Sequence, residues 1–218
     1  MDTGHGKRSA FLDFRQESDC KTLWALMRDA DVFSQGYRLG AMAKLGFSPE
    51  ALAEVRPGMI YVSVNCYGHE GPWRERRGWE QLAQTVSGIA KEEGEPGDPR
   101  LLPAAVTDYT TGYLAAFGTL VALGRRAREG GSYLVRNSLT QSAMLLGRLG
   151  RVAADDAAAQ NRNLPPEEVS ELTVVTDTPY GCMTHLAPVV QLSETPARWV
   201  LPTVPPGTHQ PVWLDSSN

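Results

Sequence analysis

Cysteine is scarce in this sequence, and long apolar runs are absent. The 218 residues include three cysteines, and no two of them have the CxxC spacing. An odd, widely spaced set argues against a disulfide framework and favours a reducing compartment. No segment approaches the run of about 18 apolar residues that a membrane helix needs, and the opening residues lack the apolar core of a signal peptide. We therefore expect a cytoplasmic protein without membrane segments.

An excess of positive charge is also missing. Lysine and arginine together number 21 against 25 acidic residues, for a formal net charge of −4. No global field attracts nucleic acid or an acidic membrane, so an anionic ligand must be met by local basic residues. The histidines show no metal-ligand spacing; they are His5, His69, His185 and His209. We expect neither a nucleic-acid partner nor a metal site.

The chain does contain an alternation of predicted strands and helices. We predict strands over residues 9–14, 31–35 and 58–68. Strands separated by helices at this spacing indicate βαβ units and a parallel sheet. We therefore predict an α/β protein with a partial Rossmann-like parallel sheet and flanking helices. Such a sheet would bring the loops after Phe14, Gln35 and Asn65 to one rim, where ligands of parallel sheets bind.

One aspartate opens a long predicted helix, which runs from Asp108 to about Arg128. Aspartate is a preferred N-cap, so capping this helix is its simplest role. A nucleophilic role is compatible with capping, because carboxylates attack activated acyl groups and a helix N-terminus favours their charge. Gly112, Gly118 and Gly124 weaken the helix unless another backbone or a ligand packs closely there.

Basic residues follow the predicted strands at Arg15 and Arg38, with Lys44 further along. Their simplest interpretation is solvated surface charge. Together, however, they would suit a diphosphate or a ribose phosphate. The segment after the third strand reads as an ordinary glycine turn, or as a loop that lets a ligand pass with Tyr67 as its apolar wall. Cys66 has no obvious histidine partner, so we do not expect it to be a nucleophile.

The pattern weakens after about residue 153. Nine of the 15 prolines fall within residues 165–218. We predict an extended C-terminal tail that wraps over another protein surface, for which a partner subunit is one candidate. The predicted division is a large-domain portion at residues 1–152, made of an incomplete Rossmann-like core plus helices, and a linker with the extended tail at residues 153–218.

Several segments, in this order, resemble CoA-transferase family III, which includes the formyl-CoA and carnitine CoA-transferases and the α-methylacyl-CoA racemases. They are "LDFR", "DVFSQGYRLGAMAKLGF", "LAEVRPGMIYVSVNCYGHEGPW", "RRGWEQLAQTVSGIA", "DYTTGYLAAFGTLVALGRRAREGG" and "VRNSLTQSAML". The resemblance implies the family fold and transfer of coenzyme A between carboxylic acids. It also implies that Asp108 is the catalytic nucleophile, which forms an aspartyl-CoA thioester. Coenzyme A or acyl-CoA is then a substrate, and no tightly bound cofactor is expected.

The resemblance also assigns positions that contact coenzyme A, by matching family motifs. Arg15 stands where a lysine often occurs, and Lys44 stands where an arginine is frequent. The complete set expected to bind coenzyme A is Arg15, Gly36, Tyr37, Arg38, Lys44, Asn65, Cys66, Tyr67 and Gly68.

The chain departs from the family pattern in ways that leave alternatives open. The family's first βαβ segment and the glycine-rich loop of some transferases are absent, so we expect a shortened member or a fragment. An acyl-CoA racemase or isomerase is one alternative, although the racemases carry a histidine near the position that Trp79 occupies here. A truncated, non-catalytic remnant that binds coenzyme A or a full-length partner is another. Because the family forms interlocked homodimers, we expect a homodimer or pairing with a related chain.

Overall fold

A computed structural model describes residues 2–158 and 163–214. Within these ranges the chain forms two compact units. One unit contains residues 27–151, and the other combines the N-terminal residues up to Leu26 with those from Val152 onward. The functional division predicted between residues 152 and 153 remains a prediction. Parts of the predicted tail, residues 159–162 and 215–218, lie outside the described residues.

The unit of residues 27–151 is built on a parallel sheet, as predicted. Its strands, in spatial order, are β1 (Val32–Gln35), β2 (Ile60–Asn65) and β3 (Tyr133–Ser138). The central strand β2 is buried for its first four residues, as expected for an apolar, β-branched strand flanked on both sides. In parallel strands the carboxyl ends meet at one edge, so Gln35, Asn65 and Ser138 end at the same edge.

Helices connect and cover these strands. They are α2 (Ala41–Lys44), α3 (Pro49–Val55), α4 (Glu80–Val86), α5 (Ile89–Glu93), α6 (Val106–Glu129) and α7 (Leu139–Arg148), whereas α1 (Glu17–Met27) belongs almost entirely to the other unit. The helix predicted over residues 79–93 is divided into α4 and α5, because Gly88 adopts a left-handed φ of 92° between them.

The long helix α6 packs on the sheet. Ile60 and Val62 of β2 form a core cluster with Ala115 and Ala122 of α6. A Cβ atom on Gly118 would lie 2.8 Å from Cγ1 of Val135, so glycine allows the helix to approach β3 closely. The space around Gly112 is open. Of the glycines in this helix, Gly118 thus has the close packing partner that the sequence led us to expect.

The strand predicted at residues 9–14 is wrong. These residues form no strand, and the side chain of Phe11 is 75% exposed. The backbone of Ser9 forms hydrogen bonds with His209 in place of a strand partner. Its N–H donates to Nδ1 of His209 at 3.0 Å, and its carbonyl accepts from the His209 N–H at 2.7 Å. No strand ends at Phe14, and the place predicted for that loop on the rim of the sheet remains a prediction.

The C-terminal part contains an antiparallel hairpin that we did not predict. After α8 (Ala154–Ala158) and α9 (Pro166–Glu171), β4 (Thr173–Thr178) pairs with β5 (Gly181–Leu186). The signal was present in the sequence, since β4 is rich in threonine and valine and a Pro-Tyr turn leads to Gly181. Residues 187–214 form no helix or strand. Across the described part of the chain, no helix is both long and apolar enough to cross a membrane.

Candidate active site

A buried carboxylate holds the beginning of α6. Glu80, at the start of α4, is 4% exposed. Its carboxylate accepts hydrogen bonds from the backbone N–H groups of Thr107 (3.2 Å) and Asp108 (2.8 Å) and from the Thr107 hydroxyl. The N-cap residue Ala105 makes no side-chain hydrogen bond. Glu80 therefore satisfies the free donors of the helix start, and the predicted role of Asp108 as N-cap is wrong.

Gln84 extends this network to the segment before α6. Its Nε2 donates to Oε1 of Glu80 at 2.7 Å and to the carbonyl of Ala104 at 3.1 Å. Its Oε1 accepts from the Leu102 N–H at 2.9 Å. Both ends of this buried amide are thus used, which fixes the approach of the chain to Asp108.

The pKa values of the two carboxylates at this helix start are shifted in opposite directions. Burial raises the pKa of Glu80, but hydrogen bonds from Thr107, Gln84 and the Asp108 N–H outweigh burial and lower that pKa below its usual value. Partial burial raises the pKa of Asp108, and the negative charge of Glu80 raises it further. Asp108 itself lies in the first turn and is exposed. Glu80 is therefore a buried, charged cap of the helix, and Asp108 beside it is an accessible carboxylate that is more basic than a usual aspartate.

The end of β2 lies close to this carboxylate. Cys66 is buried against Ala83 and Leu139. Burial raises the pKa of its thiol, and the charges of Asp108 and Glu80 raise it further, against a lowering hydrogen bond with Tyr67. A thiol held protonated in this way is a poor nucleophile.

The loop of residues 68–78 returns tightly against the end of β2. A Cβ atom on Gly78 would lie 2.5 Å from Cβ and Sγ of Cys66 and 2.9 Å from the ring of Tyr67. Only glycine fits at this approach. The ring of Trp73 meets Tyr67 edge to face, with centroids 5.5 Å apart, and Cζ of Arg76 lies 4.7 Å from the Trp73 centroid.

The loop after β1 carries the next predicted binding residues. Gly36, Tyr37 and Arg38 are exposed there, and exposed Lys44 ends α2. Neither Arg38 nor Lys44 forms an ion pair with any residue that the structure describes. These two cations are thus exposed to solvent in the segment that follows β1.

A hydrogen bond closes the turn that follows β2. The Gly68 N–H donates to Oδ1 of Asn65 at 2.6 Å, and Gly68 has a left-handed φ of 90°. Within this segment Cys66 is near enough to Asp108 for the charge of the carboxylate to raise the pKa of the thiol. Arg15 belongs to the other unit, where it forms a 2.8 Å ion pair with Asp13. Its contact with coenzyme A remains a prediction.

Sequence reasoning missed the residues that support Asp108. Glu80 and Gln84 are four residues apart in a predicted helix, so their contact was open to prediction. The bond from Glu80 to Thr107 spans 27 residues, and no local pattern encodes it. In the described ranges no group of three or more histidine, cysteine, aspartate or glutamate residues is arranged to hold a metal ion.

The unit of residues 27–151 is an α/β protein with a parallel sheet, a class that binds its ligands beyond the carboxyl ends of the strands, and Asp108 is an accessible carboxylate near the end of β2. Comparison with known proteins gives the particular group: the pattern of CoA-transferase family III matches residues 1–182, and the chain belongs to this family.

Individual relatives agree with this assignment. An "Acyl-CoA transferase" of Gibberella moniliformis is 39% identical over 62% of this chain and 25% of its own length. The "Acetyl-coenzyme A transferase nodX" of Hypoxylon pulicicidum is 40% identical over 64% of this chain and 25% of its own length. The chain thus spans about a quarter of the length of these two curated relatives. A CAIB/BAIF family protein from Brucella suis superimposes with a TM-score of 0.63 and 28% identity, covering 82% of this chain and 48% of that chain.

Proposed function

We propose that this chain transfers coenzyme A between carboxylic acids, with Asp108 as the nucleophile that becomes acylated. The observation that carries the proposal is the exposed Asp108 carboxylate, which is freed from helix capping because Glu80 caps α6 instead. The accessible carboxylate and the family membership point to the same chemistry.

The proposed reaction needs only bond exchanges at carbonyl carbons. A carboxylate oxygen of Asp108 attacks the thioester carbonyl, the C–S bond breaks, and coenzyme A leaves as a thiolate. The thiolate attacks the aspartyl carbonyl, the anhydride C–O bond breaks, and the donor acid leaves. The acceptor carboxylate then reverses these two steps on the aspartyl-CoA thioester. A thiol has a pKa of about 8.5, so the thiolate leaves without a proton donor, and a lone carboxylate suffices.

The position of Glu80 favours acylation of its neighbour. Partial burial, and after it the charge of Glu80, disfavour the ionised form of Asp108. Acylation replaces that negative charge by a neutral ester-like group, so it relieves the repulsion. A carboxylate of higher basicity is also the better nucleophile.

The exposed cations that follow β1 support the binding of coenzyme A. Arg38 and Lys44 are exposed and form no ion pair within the described ranges, which suits them for phosphate groups. We propose that they hold the nucleotide end, with Gly36 and Tyr37 beside them, and that Asn65 to Gly68 guide the thioester toward Asp108. Binding energy from the nucleotide would then position the reacting carbonyl.

Trapping of the acyl-enzyme tests the proposal. The purified chain is incubated with acyl-CoA substrates, treated with hydroxylamine and digested with a protease. Mass spectrometry then measures the masses of the peptides. We expect a hydroxamate at Asp108 in the wild-type chain, because hydroxylamine attacks the activated aspartyl carbonyl. In Asp108→Asn we expect transfer activity to fall at least about a thousandfold. Asp29→Asn, at an exposed position outside the site, is the matched control.

Other results would contradict the proposal in distinct ways. An unmodified Asp108 together with retained coenzyme A binding would indicate a non-catalytic binding chain. Deuterium exchange at the acyl α-carbon without transfer would indicate a racemase. The racemases carry a histidine near the position of Trp79, so the tryptophan argues against that second outcome.

We also propose that a second copy of the chain covers the outer face of α6. Tyr113, Phe117 and Leu120 are 64%, 66% and 68% exposed, and their spacing places them on one side of the helix. A stripe of this kind marks an association surface, and the resemblance implies interlocked homodimers. Light scattering should show a dimer that Phe117→Glu dissociates. A wild-type monomer at every concentration would contradict this assignment.

A further inference from the structure

A row of polar side chains crosses the sheet near the carboxyl ends of its strands. Gln35, Ser63 and Arg136 are partners in the register of β1, β2 and β3, so their side chains lie on the same face. One row earlier on this face, the rings of Phe33 and Tyr61 pack together with their centroids 5.1 Å apart. Gln35 and Ser63 are both buried. Buried polar groups need hydrogen-bond partners, so the partners of this pair decide how it is oriented.

The amide of Gln35 is oriented by the loop after β1. The backbone N–H of Tyr37 donates to Oε1 of Gln35 at 2.8 Å. A backbone N–H can only donate, so the amide atom that it meets must be the oxygen. The amide nitrogen Nε2 therefore faces Ser63, and it donates to Oγ of that residue at 2.8 Å. The orientation of this buried amide is thus fixed at both ends.

The hydroxyl of Ser63 connects this amide to His69. Oγ of Ser63 lies 2.9 Å from Nε2 of His69, and within the described residues Gln35 and His69 are its two hydrogen-bond partners. Because Gln35 donates to this oxygen, the hydroxyl proton is left for Nε2 of His69. That nitrogen must then be unprotonated, so the ring is neutral and carries its proton on Nδ1. Tyr37, Gln35, Ser63 and His69 thus form a relay in which every hydrogen bond has one direction.

Protonation of His69 is incompatible with this relay. Nε2 would then carry a proton, and the hydroxyl proton of Ser63 would lose its acceptor. If the Gln35 amide turned over to accept that proton, its nitrogen would face the N–H of Tyr37, donor against donor. Either arrangement leaves a buried donor unsatisfied, which folded proteins avoid. The protonation state of His69 is therefore linked to the position of the loop after β1.

The surroundings of His69 favour its neutral form. His69 lines a polar cavity of about 460 Å³, and the other titratable or charged groups that line it are Tyr67 and Glu70 of its own segment, Arg136 of β3 and Arg148 of α7. The cavity therefore contains two guanidinium groups against one carboxylate. Burial lowers the pKa of His69, and the charge of Arg136 lowers it further. The ring is therefore neutral at neutral pH, and it gains a proton only when the pH falls below the usual histidine value of 6.5.

We propose that Gln35, Ser63 and His69 are positioning residues, which hold the loop after β1 in the form that binds coenzyme A while His69 is neutral. The inference rests on the proposed function, which assigns residues 36–38 of this loop to the coenzyme. Acidification adds a proton to Nε2 of His69, breaks the relay at Ser63 and frees the N–H of Tyr37. Binding of coenzyme A is therefore strongest with a neutral ring and weakens as the pH falls.

Calorimetric titration of the full chain with coenzyme A, at about pH 7.5 and about pH 5, tests this assignment on both sides of the histidine titration range. We expect the wild type to bind at least about tenfold more weakly at the acid pH, as the loss of one buried hydrogen bond provides. In His69→Gln the amide oxygen can accept the Ser63 proton at either pH. This variant should bind like the wild type at the higher pH and lose much less affinity on acidification. His69→Leu offers no acceptor and should bind weakly at both pH values.

Exchange of the Tyr37 amide proton, followed by NMR without ligand, measures the relay itself. Its protection, relative to an unstructured chain at the same pH, should fall on acidification in the wild type and persist in His69→Gln. Equal pH dependence of these two chains in either measurement would overturn the inference, and so would wild-type binding by His69→Leu. Stronger binding by the wild type in acid would also overturn it, because the charged ring would then attract the phosphates of the coenzyme.

The proposed function fails separately. A chain with the expected pH dependence but without a hydroxamate at Asp108 keeps the relay and loses the transferase. A hydroxamate at Asp108, together with equal pH dependence of the wild type and His69→Gln, would mean the reverse. A chain that binds no coenzyme A would contradict both.

Discussion

The start of α6 and the loop after β1 belong to the same compact unit, yet they satisfy their polar groups in different ways. At the start of α6, Glu80, Gln84 and Thr107 are at most 4% exposed and bond to one another and to the backbone. In the loop after β1, Arg38 and its neighbours are exposed. One region is held by interior hydrogen bonds, and the other presents its charges to solvent.

This difference separates positioning from binding. A nucleophile must be held accurately, and a buried, fully bonded support achieves this because each broken bond would leave a buried polar group unsatisfied. A diphosphate must be captured from water and released, which exposed cations allow. Substitutions at the start of α6 should therefore change stability, whereas those in the loop after β1 should change affinity alone.

The largest effect is expected for Glu80→Ala. The substitution leaves the hydroxyl of Thr107 and the first N–H groups of α6 without an acceptor, and we expect it to lower the free energy of unfolding by about 3 kcal/mol. Urea denaturation measures this change. Glu93→Ala, at an exposed site on α5, should stay within about 0.5 kcal/mol. Equal effects of the two would contradict the supporting role of Glu80.

Glycine substitutions give the next contrast. In Gly78→Ala the new methyl group would meet Cys66 at 2.5 Å, and we expect a loss of about 2 kcal/mol of stability from this overpacking. Gly36, in the loop after β1, has nothing within 4 Å of the same position. Gly36→Ala should therefore leave the thermal midpoint unchanged. If Gly78→Ala were as stable as the wild type, the close return of the loop would be wrong.

Arg38→Gln and Lys44→Gln should act on affinity alone. Each removes one exposed cation, and we expect coenzyme A to bind about tenfold more weakly at low salt, with unchanged stability. The loss should shrink as salt screens the remaining charges. Lys91→Gln, at an exposed position on α5, should bind like the wild type. Calorimetric titration at two salt concentrations compares the three variants, and a salt-independent loss would argue against phosphate contacts.

The smallest effect is expected for acidification, since burial and hydrogen bonding act in opposite directions on Glu80. Its pKa in the folded chain is lowered from the usual 4.5. The ionised carboxylate therefore contributes stability above that usual value, and the contribution is lost as the pH falls through the lowered one. The stability difference between wild type and Glu80→Gln should thus be constant near neutral pH and shrink on acidification. A difference that grows in acid would reverse the assigned sign.

Much of the unit of residues 27–151 could be predicted from local patterns. The strands at 31–35 and within 58–68 are formed, because short apolar runs that end in glycine favour strands, and the second run is also β-branched and aromatic. Ser48 caps α3 with Pro49 in its first turn, as its residue types indicated. These features depend on neighbours within a few residues, so the sequence pattern contains the necessary information.

Prediction failed where the partner is distant. Residues 9–14 have the composition of a strand, but the backbone of Ser9 pairs with His209 at the other end of the chain. Asp108 has the residue type of an N-cap, yet a glutamate 28 residues earlier takes that role. The hairpin of β4 and β5 is a different kind of miss, since its local signals were present and were outweighed by the many prolines around it.

The residue order alone determined the alternation of strands and helices, the family resemblance, and the presence of one aspartate at the start of the long helix. Tertiary structure decided which carboxylate caps that helix and which remains accessible, and it brought His69, Arg136 and Arg148 to one cavity. The reason is physical: helix and strand preferences act over a few residues, whereas hydrogen bonds and charges act between any groups that folding brings together.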